Sequence, residues 1–365
     1  MRILPLLLLA TLWAGPFNSQ AWEFQYVVVP IESERLPYVG ATIAADISDG
    51  GWITGVILPG LGSPSGGYET VFSYQPSTGF VDLGNVPGYN TIGGGINDRG
   101  EIAGAVRQQE GRSSFLYVPG GGFTLVGGQG SSDYIGASSI NAGGTLAGSY
   151  PVAEGEVHAF RYSAGTGLRD LGTLGGANSY GYNINDAGWV VGTSQTGDGS
   201  WHAFLYRDDV GMLDLGPGYA SGINNLGVAA GISDGRPVVF REGAIIPLGG
   251  GLALFGYVSD INDQGVVVGG YDDLHTGWRH TFVGTETDGL VDLNSLIDPA
   301  SGWRMPDALG INNAGQIVGI GAYQGSAWAV RLDPVPEPST WALFGLGAAL
   351  LWAVHRRRSK RRGGL

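Results

Sequence analysis

Ile96-Asn97-Asp98-Arg99-Gly100-Glu101-Ile102-Ala103-Gly104 is the stretch on which the reading of this chain turns. Asn at the first position, two tolerant residues and then Gly describe a type I turn closed by a glycine bulge, with the Gly supplying positive φ. After the turn, a variable residue followed by an aliphatic one (Glu101, then Ile102) reads as a half-buried strand. Gly104 then marks a place where another backbone comes close.

Working outward, the same nonamer recurs with starts at Ile47, Ile96, Ile140, Ile184, Ile223, Ile261 and Ile311, at spacings of 49, 44, 44, 39, 38 and 50 residues. Asn97 and Gly100, Asn185 and Gly188, Asn262 and Gly265, and Asn312 and Gly315 are the clearest turn pairs, with a structural role. A second strand with period-two apolar positions follows each copy, as in Phe72/Tyr74, Phe160/Tyr162 and Phe204/Tyr206. A third follows a Gly turn, as in Phe80-Val81-Asp82-Leu83-Gly84 and Met212-Leu213-Asp214-Leu215-Gly216. With the segment running into each Ile-Asn, this makes four antiparallel strands per unit. Four-stranded units of about 45 residues are blades of an all-β propeller. Seven blades are expected, with six and eight as alternatives. The seventh unit lacks its fourth strand, and the segment from Phe24 to Ile31 is available to complete it and remove an open edge.

Composition agrees with an array of hairpins. The 365 residues include 67 glycines and are only 14% charged, which favours tight turns over long surface helices. Cysteine is absent, so disulfides, thiolate metal sites and cysteine nucleophiles are excluded. Between Trp22 and Val354 stand 12 arginines against 32 acids, so the body carries −20 where the whole chain carries −13. Such a body repels phosphate backbones, and nucleic acid is not expected as a partner.

Both ends read as targeting segments. Residues 1–21 combine a basic start, an apolar stretch and small residues before a cut ahead of Trp22, the pattern of a signal peptide. Residues 335–365 contain Pro336-Glu337-Pro338, the apolar run Trp341 to Val354 and the basic cluster Arg356 to Arg362. Fourteen helical residues span about 21 Å, short for a bilayer, but the cluster directly after them fixes the orientation with the body outside. This three-part tail resembles the PEP-CTERM sorting signal. The resemblance implies transient anchoring in the inner membrane of a Gram-negative bacterium and an exosortase-type transpeptidase as partner, acting at Pro336, Glu337 and Pro338. Residues 22–334 resemble the extracellular HAF repeats, on the strength of the Ile-Asn-Asp units and of His158-Ala159-Phe160 and His202-Ala203-Phe204. That family is known by its repeat and brings no activity with it.

Candidate chemistry is sparse. The Asp-x-Gly turns differ from the Asp-box of sialidase-type propellers, which places Ser or Thr two residues before the Asp, where this chain has Ile. His158 and His202 occupy one repeat position, as do Asp82, Asp170, Asp214 and Asp292, and repetition around a ring favours packing or strand-edge hydrogen bonding over catalysis. Asp208-Asp209 and Asp272-Asp273 are candidate calcium ligands, although no Asp-x-Asp-x-Asp-Gly loop is present, and the expectation is no cofactor. Trp52 and Trp189, at the variable position after the turn, are candidate sugar-stacking residues, with core packing as the competing role. The expectation is an exported, non-catalytic propeller that binds or scaffolds at the cell surface or in the exopolysaccharide matrix. The alternative is a polysaccharide lyase or glycosidase, which would need two non-equivalent carboxylates meeting in the central channel.

Overall fold

The computed structural model describes residues 26–31, 39–60, 63–108, 111–130, 136–153, 155–241, 243–249, 256–272 and 279–335. They form seven four-stranded antiparallel sheets, a seven-bladed propeller. The innermost strands are Val39–Ile47, Asn90–Ile96, Gly136–Ile140, Gly175–Ile184, Tyr219–Ile223, Gly256–Ile261 and Arg304–Ile311, in blades 1 to 7. Blades 1 to 6 each use four consecutive strands. Blade 7 uses Arg304–Ile311, Ile317–Tyr323 and Ser326–Pro334, and its outer strand is Tyr26–Pro30 from the other end of the chain. The register Tyr26↔Pro334 to Pro30↔Val330 closes the ring.

The core lies between the blades. Five phenylalanines at one repeat position, Phe72, Phe115, Phe160, Phe204 and Phe282, are completely buried on the third strand. Each inter-blade layer is a separate cluster, such as Val191, Ala203, Ala220, Ile223, Val238 and Phe240 between blades 4 and 5. The only helical elements among the described residues are the 3-10 turns Leu293–Leu296 and Pro299–Ser301. They sit between the outer strand of blade 6 and blade 7, bury Leu293 and Leu296, and account for the 50-residue spacing there.

Every innermost strand carries a β-bulge at the same place. The register shifts across Ala45, Gly94, Ser138, Tyr182, Ser221, Ser259 and Leu309, one residue in each blade. A bulge leaves its residue unpaired and re-aims the side chains beside it. It also drives the backbone before it toward the next strand. A Cβ on Gly104 would collide with the Ile92 carbonyl and one on Gly192 with the Tyr180 carbonyl, which explains why the ninth repeat position is always Gly.

Candidate functional site

Each first turn is built as its residues dictate. Gly100 sits at φ +70°, Gly188 at +77°, Gly265 at +76° and Gly315 at +74°. The Gly100 amide donates to the Asn97 carbonyl at 2.9 Å, and the Asn97 amide donates to the Glu101 carbonyl at 3.1 Å. The asparagine side chain does two further things. Its Oδ1 accepts from backbone amides in its own turn, as Asn97 does from Arg99 and Glu101. Its Nδ2 reaches the next blade and donates to the carbonyl of the next asparagine: Asn97 to Asn141, Asn141 to Asn185, Asn185 to Asn224, Asn224 to Asn262 and Asn262 to Asn312, at 3.0–3.1 Å. Asn312 donates to the Ser48 carbonyl at 3.1 Å. Ser48 takes over the turn cap through its hydroxyl, which accepts from the Trp52 amide, but has no second group to send onward. The ring therefore has six side-chain links and one gap, between blades 1 and 2.

The residue after Ser48 and after each turn asparagine forms a second ring around the channel mouth, Asp49, Asp98, Ala142, Asp186, Asn225, Asp263 and Asn313, exposed except for the half-buried Asp263 and Asn313. Apart from Ala142, the ring's side-chain oxygens cap the neighbouring blade's backbone, as Asp186 does for Ala142, Asn225 for Asp186 and Asp49 for Asn313. Behind this mouth lies a cavity of about 280 Å³. The position before each repeat's Ile reads Asp46, Gly95, Ser139, Asn183, Gly222, Asp260 and Gly310, and of these Asp46, Ser139, Asn183 and Asp260 line the cavity wall. Two of the seven are carboxylates, on blades 1 and 6, flanking the glycine of blade 7.

Asp46 Oδ1 accepts from Ile47 at 2.8 Å and Oδ2 from Ile96 of the next blade at 2.9 Å. Asp260 accepts from Ile261 and Ile311 in the same way, at 2.8 and 3.0 Å. These four amide donors favour the charged form, but burial outweighs them. It pushes Asp46 up to about 6 and, with the Asp46 charge adding to burial, Asp260 up to about 7. The site thus joins two carboxylates poised near neutrality to a wall of hydroxyls and amides. In the same layer Ser138, Ser221 and Ser259 donate to the carbonyls of Gly181, Val258 and Ala308 on the next blade.

The histidines lie at the opposite face. His158 Nδ1 pairs with Asp170 at 2.9 Å, His202 with Asp214 at 2.8 Å and His280 with Asp292 at 3.1 Å. The same carboxylates cap the amides of Gly172, Gly216 and Asn294, and Asp82 caps Gly84 where Thr70 stands at the histidine position. His-Ala-Phe and Asp-Leu-Gly are thus two halves of one strand-to-strand clip. Trp52 and Trp189 are partly buried in seams between blades. A Cβ on Gly100 would lie 3.4 Å from the Trp52 ring, and the Arg207 guanidinium covers Trp189 with its carbon 4.6 Å from the ring centre. Asp208 pairs with Arg161 and Arg169, Asp209 with Arg207, and Asp272 with Arg279, while Asp273 lies outside the described residues. Among the described residues no three His, Cys, Asp or Glu side chains gather so as to hold a metal ion.

The segment 1–21 expected to be a signal peptide, the expected cleavage residues Pro336, Glu337 and Pro338, and the apolar run after them lie outside the described residues. Among the described residues no helix is long and apolar enough to cross a membrane. Residues 334–358 match the PEP-CTERM protein-sorting motif, which marks an exported protein handled by an exosortase-type system in Gram-negative bacteria. No curated protein matches the sequence. Among solved structures, the β-propeller domain of the Trilobed protease from Pyrococcus furiosus, described as having an open velcro topology, is similar at 9% identity and a TM-score of 0.51, covering 81% of this chain and 98% of that one. A streptogramin B lyase is similar at 12% identity and a TM-score of 0.47, over 85% of this chain and 98% of that one. TolB from Acinetobacter baumannii is similar at 14% identity and a TM-score of 0.41, over 56% of this chain, which spans about half (51%) of that protein. At these identities the likeness is one of fold.

Proposed function

We propose that the chain is exported, held transiently at the inner membrane by its tail, and then acts as a non-catalytic propeller that binds or scaffolds at the cell surface or in the exopolysaccharide matrix. The observation that carries this reading is the sorting match at 334–358, which starts on the last residue of the final strand, Ser326–Pro334. In this reading residues 1–21 are the signal peptide, 22–334 a propeller of HAF type, and 335–365 the sorting tail on which an exosortase-type transpeptidase acts at Pro336, Glu337 and Pro338. The non-catalytic part is supported by how the channel spends its polar groups: both carboxylates and the turn asparagines join one blade to the next. A body of −20 suits a hydrated matrix. The test is retention of the purified 22–334 fragment by exopolysaccharide from the producing cells, with saturable binding expected. Failure to bind that polymer or the intact cell surface would overturn the reading.

One observation favours a polysaccharide-active enzyme instead. Asp46 and Asp260 line a single cavity with carboxyls shifted to about 6 and about 7, the range useful for proton transfer at neutral pH. They occupy equivalent repeat positions, however, and each is held by two backbone donors. Release of reducing or unsaturated sugar ends by the wild type, lost in both Asp46→Asn and Asp260→Asn, would establish the enzyme; equal products from all three would remove it.

A further inference from the structure

The place where the sorting tail leaves the propeller fixes which face meets the sorting machinery. Pro334 ends the third strand of blade 7, held between Ile317–Tyr323 on one side and Tyr26–Pro30 on the other. It leaves that sheet beside the first turn of its own blade. Gln316 donates to Asp333 at 2.7 Å, and a Cβ on Gly315 would lie 3.8 Å from Pro334. The tail therefore departs from the face that carries all seven first turns and the channel mouth. Only the six residues 335–340 separate Pro334 from the apolar run that begins at Trp341, a reach of at most about 25 Å even for a fully extended chain.

The chemistry of that face is one-sided. Asp49, Asp98, Asp186 and Asp263 stand around the mouth, and among the described residues none of the four is in an ion pair. The face's arginines are already engaged: Arg99 with Glu101, Arg161 and Arg169 together with Asp208, Arg207 with Asp209, Arg241 with Glu286 and Arg331 with Asp333. A leash of at most about 25 Å leaving from this face lets the mouth come down onto whatever holds the tail, and at contact, inside one screening length, its four carboxylates meet the charges of that surface. Anionic headgroups would repel them, whereas a basic protein surface would be steered onto them.

We propose that the first-turn face is the docking surface through which the precursor meets its sorting enzyme, and that the complementary surface on that membrane enzyme is basic. This rests on the exosortase reading of the tail. It also orients the product where it is joined to an acceptor: a propeller attached through Pro336 to Pro338 presents the opposite face outward, the face that carries the His–Asp clips.

The ring supplies its own neutral substitutes, because Asn225 and Asn313 fill equivalent positions and cap backbone through Oδ1 as the aspartates do. The full-length precursor with Asp49→Asn, Asp98→Asn, Asp186→Asn and Asp263→Asn is expressed in the native host. Its conversion to the shortened form is followed by pulse-chase and intact mass, with the thermal midpoint as a folding control. Conversion should slow by about tenfold, as expected for an electrostatically steered encounter stripped of its charges. A second variant removes four charges from the opposite face, Glu156→Gln, Asp198→Asn, Asp234→Asn and Asp272→Asn, and should convert at the wild-type rate. Equal conversion by the first variant, or equal slowing by both, would overturn the docking inference. Replacing Pro336, Glu337 and Pro338 by Ala separates the two ideas: normal processing of that triple variant removes the tail reading itself, whereas a block there with no effect of the ring variant removes the docking surface alone.

Discussion

Two rings of side chains line the channel two residues apart in the repeat, and they behave differently. The turn ring, Ser48, Asn97, Asn141, Asn185, Asn224, Asn262 and Asn312, is nearly uniform. The wall ring, Asp46, Gly95, Ser139, Asn183, Gly222, Asp260 and Gly310, is not. Uniformity follows from a double duty: only a side chain with an acceptor and a donor on one planar group can cap its own turn and reach the next blade. The wall ring has no such shared duty, so its residues are free to differ and its two carboxylates stand out. Repetition around a ring marks what the closed shape requires, and departure from repetition inside the channel marks where a ligand or a proton is to be sought.

The largest expected effect breaks the ring from the strand side. Gly192→Ala should destabilise by at least about 3 kcal/mol, because the added Cβ is driven into the Tyr180 carbonyl by a bulge that the backbone cannot remove locally. Gly265→Val provides the contrast. Nothing lies within 4 Å of its Cβ position, so the loss should be nearer about 1–2 kcal/mol and come from φ +76° alone. Urea titrations of both variants check the order, and an equal or reversed pair would sink the account of the bulge.

Asn185→Leu comes next. It removes the cap on the Trp189 amide and the donor to the Asn224 carbonyl, leaving both groups buried, and should cost about 2–3 kcal/mol. Asn185→Ser, which copies Ser48, should recover part of that through the turn cap. A serine variant no better than leucine would show that the inter-blade donor carries all of the effect.

The wall ring predicts a pH dependence. Asp46 and Asp260 titrate near 6 and 7 in the folded protein against about 4 in an unfolded chain, so the native state holds more protons between these limits. Stability from these two groups is therefore fully present at and below about pH 4, falls as pH rises toward 7, and levels off above, a loss on the order of 5–7 kcal/mol for the pair. The double variant Asp46→Asn, Asp260→Asn should show a flatter profile between pH 5 and 8. Parallel profiles for variant and wild type would mean that the carboxyls are ordinary.

Much of this was legible in the sequence, and what was not has a physical reason. Turn chemistry is local, so six Asn-x-x-Gly units and one Ser-x-x-Gly unit gave seven blades, and a unit short of one strand gave the closure by the N-terminal segment, now bounded at Tyr26–Pro30. Five of the Nδ2 links join residues 38 to 50 positions apart and the sixth joins residues 264 apart, and nothing local distinguishes an asparagine that reaches across from one that only caps its turn. The bulge was hidden because its residue is Ala45, Gly94, Tyr182 or Leu309 as readily as Ser. The His–Asp clip left a readable trace. His158 and Asp170, His202 and Asp214, and His280 and Asp292 are all 12 residues apart, and blade 5, which lacks the Asp, lacks the His as well.

The smallest effect tests the turn ring where it is incomplete. Ser48 Oγ accepts from Trp52 at 3.1 Å and so performs half of what asparagine does elsewhere. The Asn97 carbonyl in the next blade is the one turn carbonyl of its kind that no Nδ2 reaches, while blades 1 and 2 are joined at this level by the Gly50 amide on Asp98 at 2.6 Å and the Ile96 amide on Asp46 at 2.9 Å. Ser48→Asn places a seventh amide where six others already span the seam at 3.0–3.1 Å, and keeps an acceptor for the Trp52 amide. One added neutral hydrogen bond, less the entropy of fixing the longer side chain, should raise stability by about 0.5–1 kcal/mol, a shift of one or two degrees in a domain of this size. Pairing the variant with Asn97→Ala, which leaves the Asn97 carbonyl in place, should preserve the gain, because the new donor needs only the backbone it reaches. A loss of stability on Ser48→Asn would mean that the seam between blades 1 and 2 is set apart from the other six, with Asp46 and Asp98 holding it at a spacing that the asparagine does not fit.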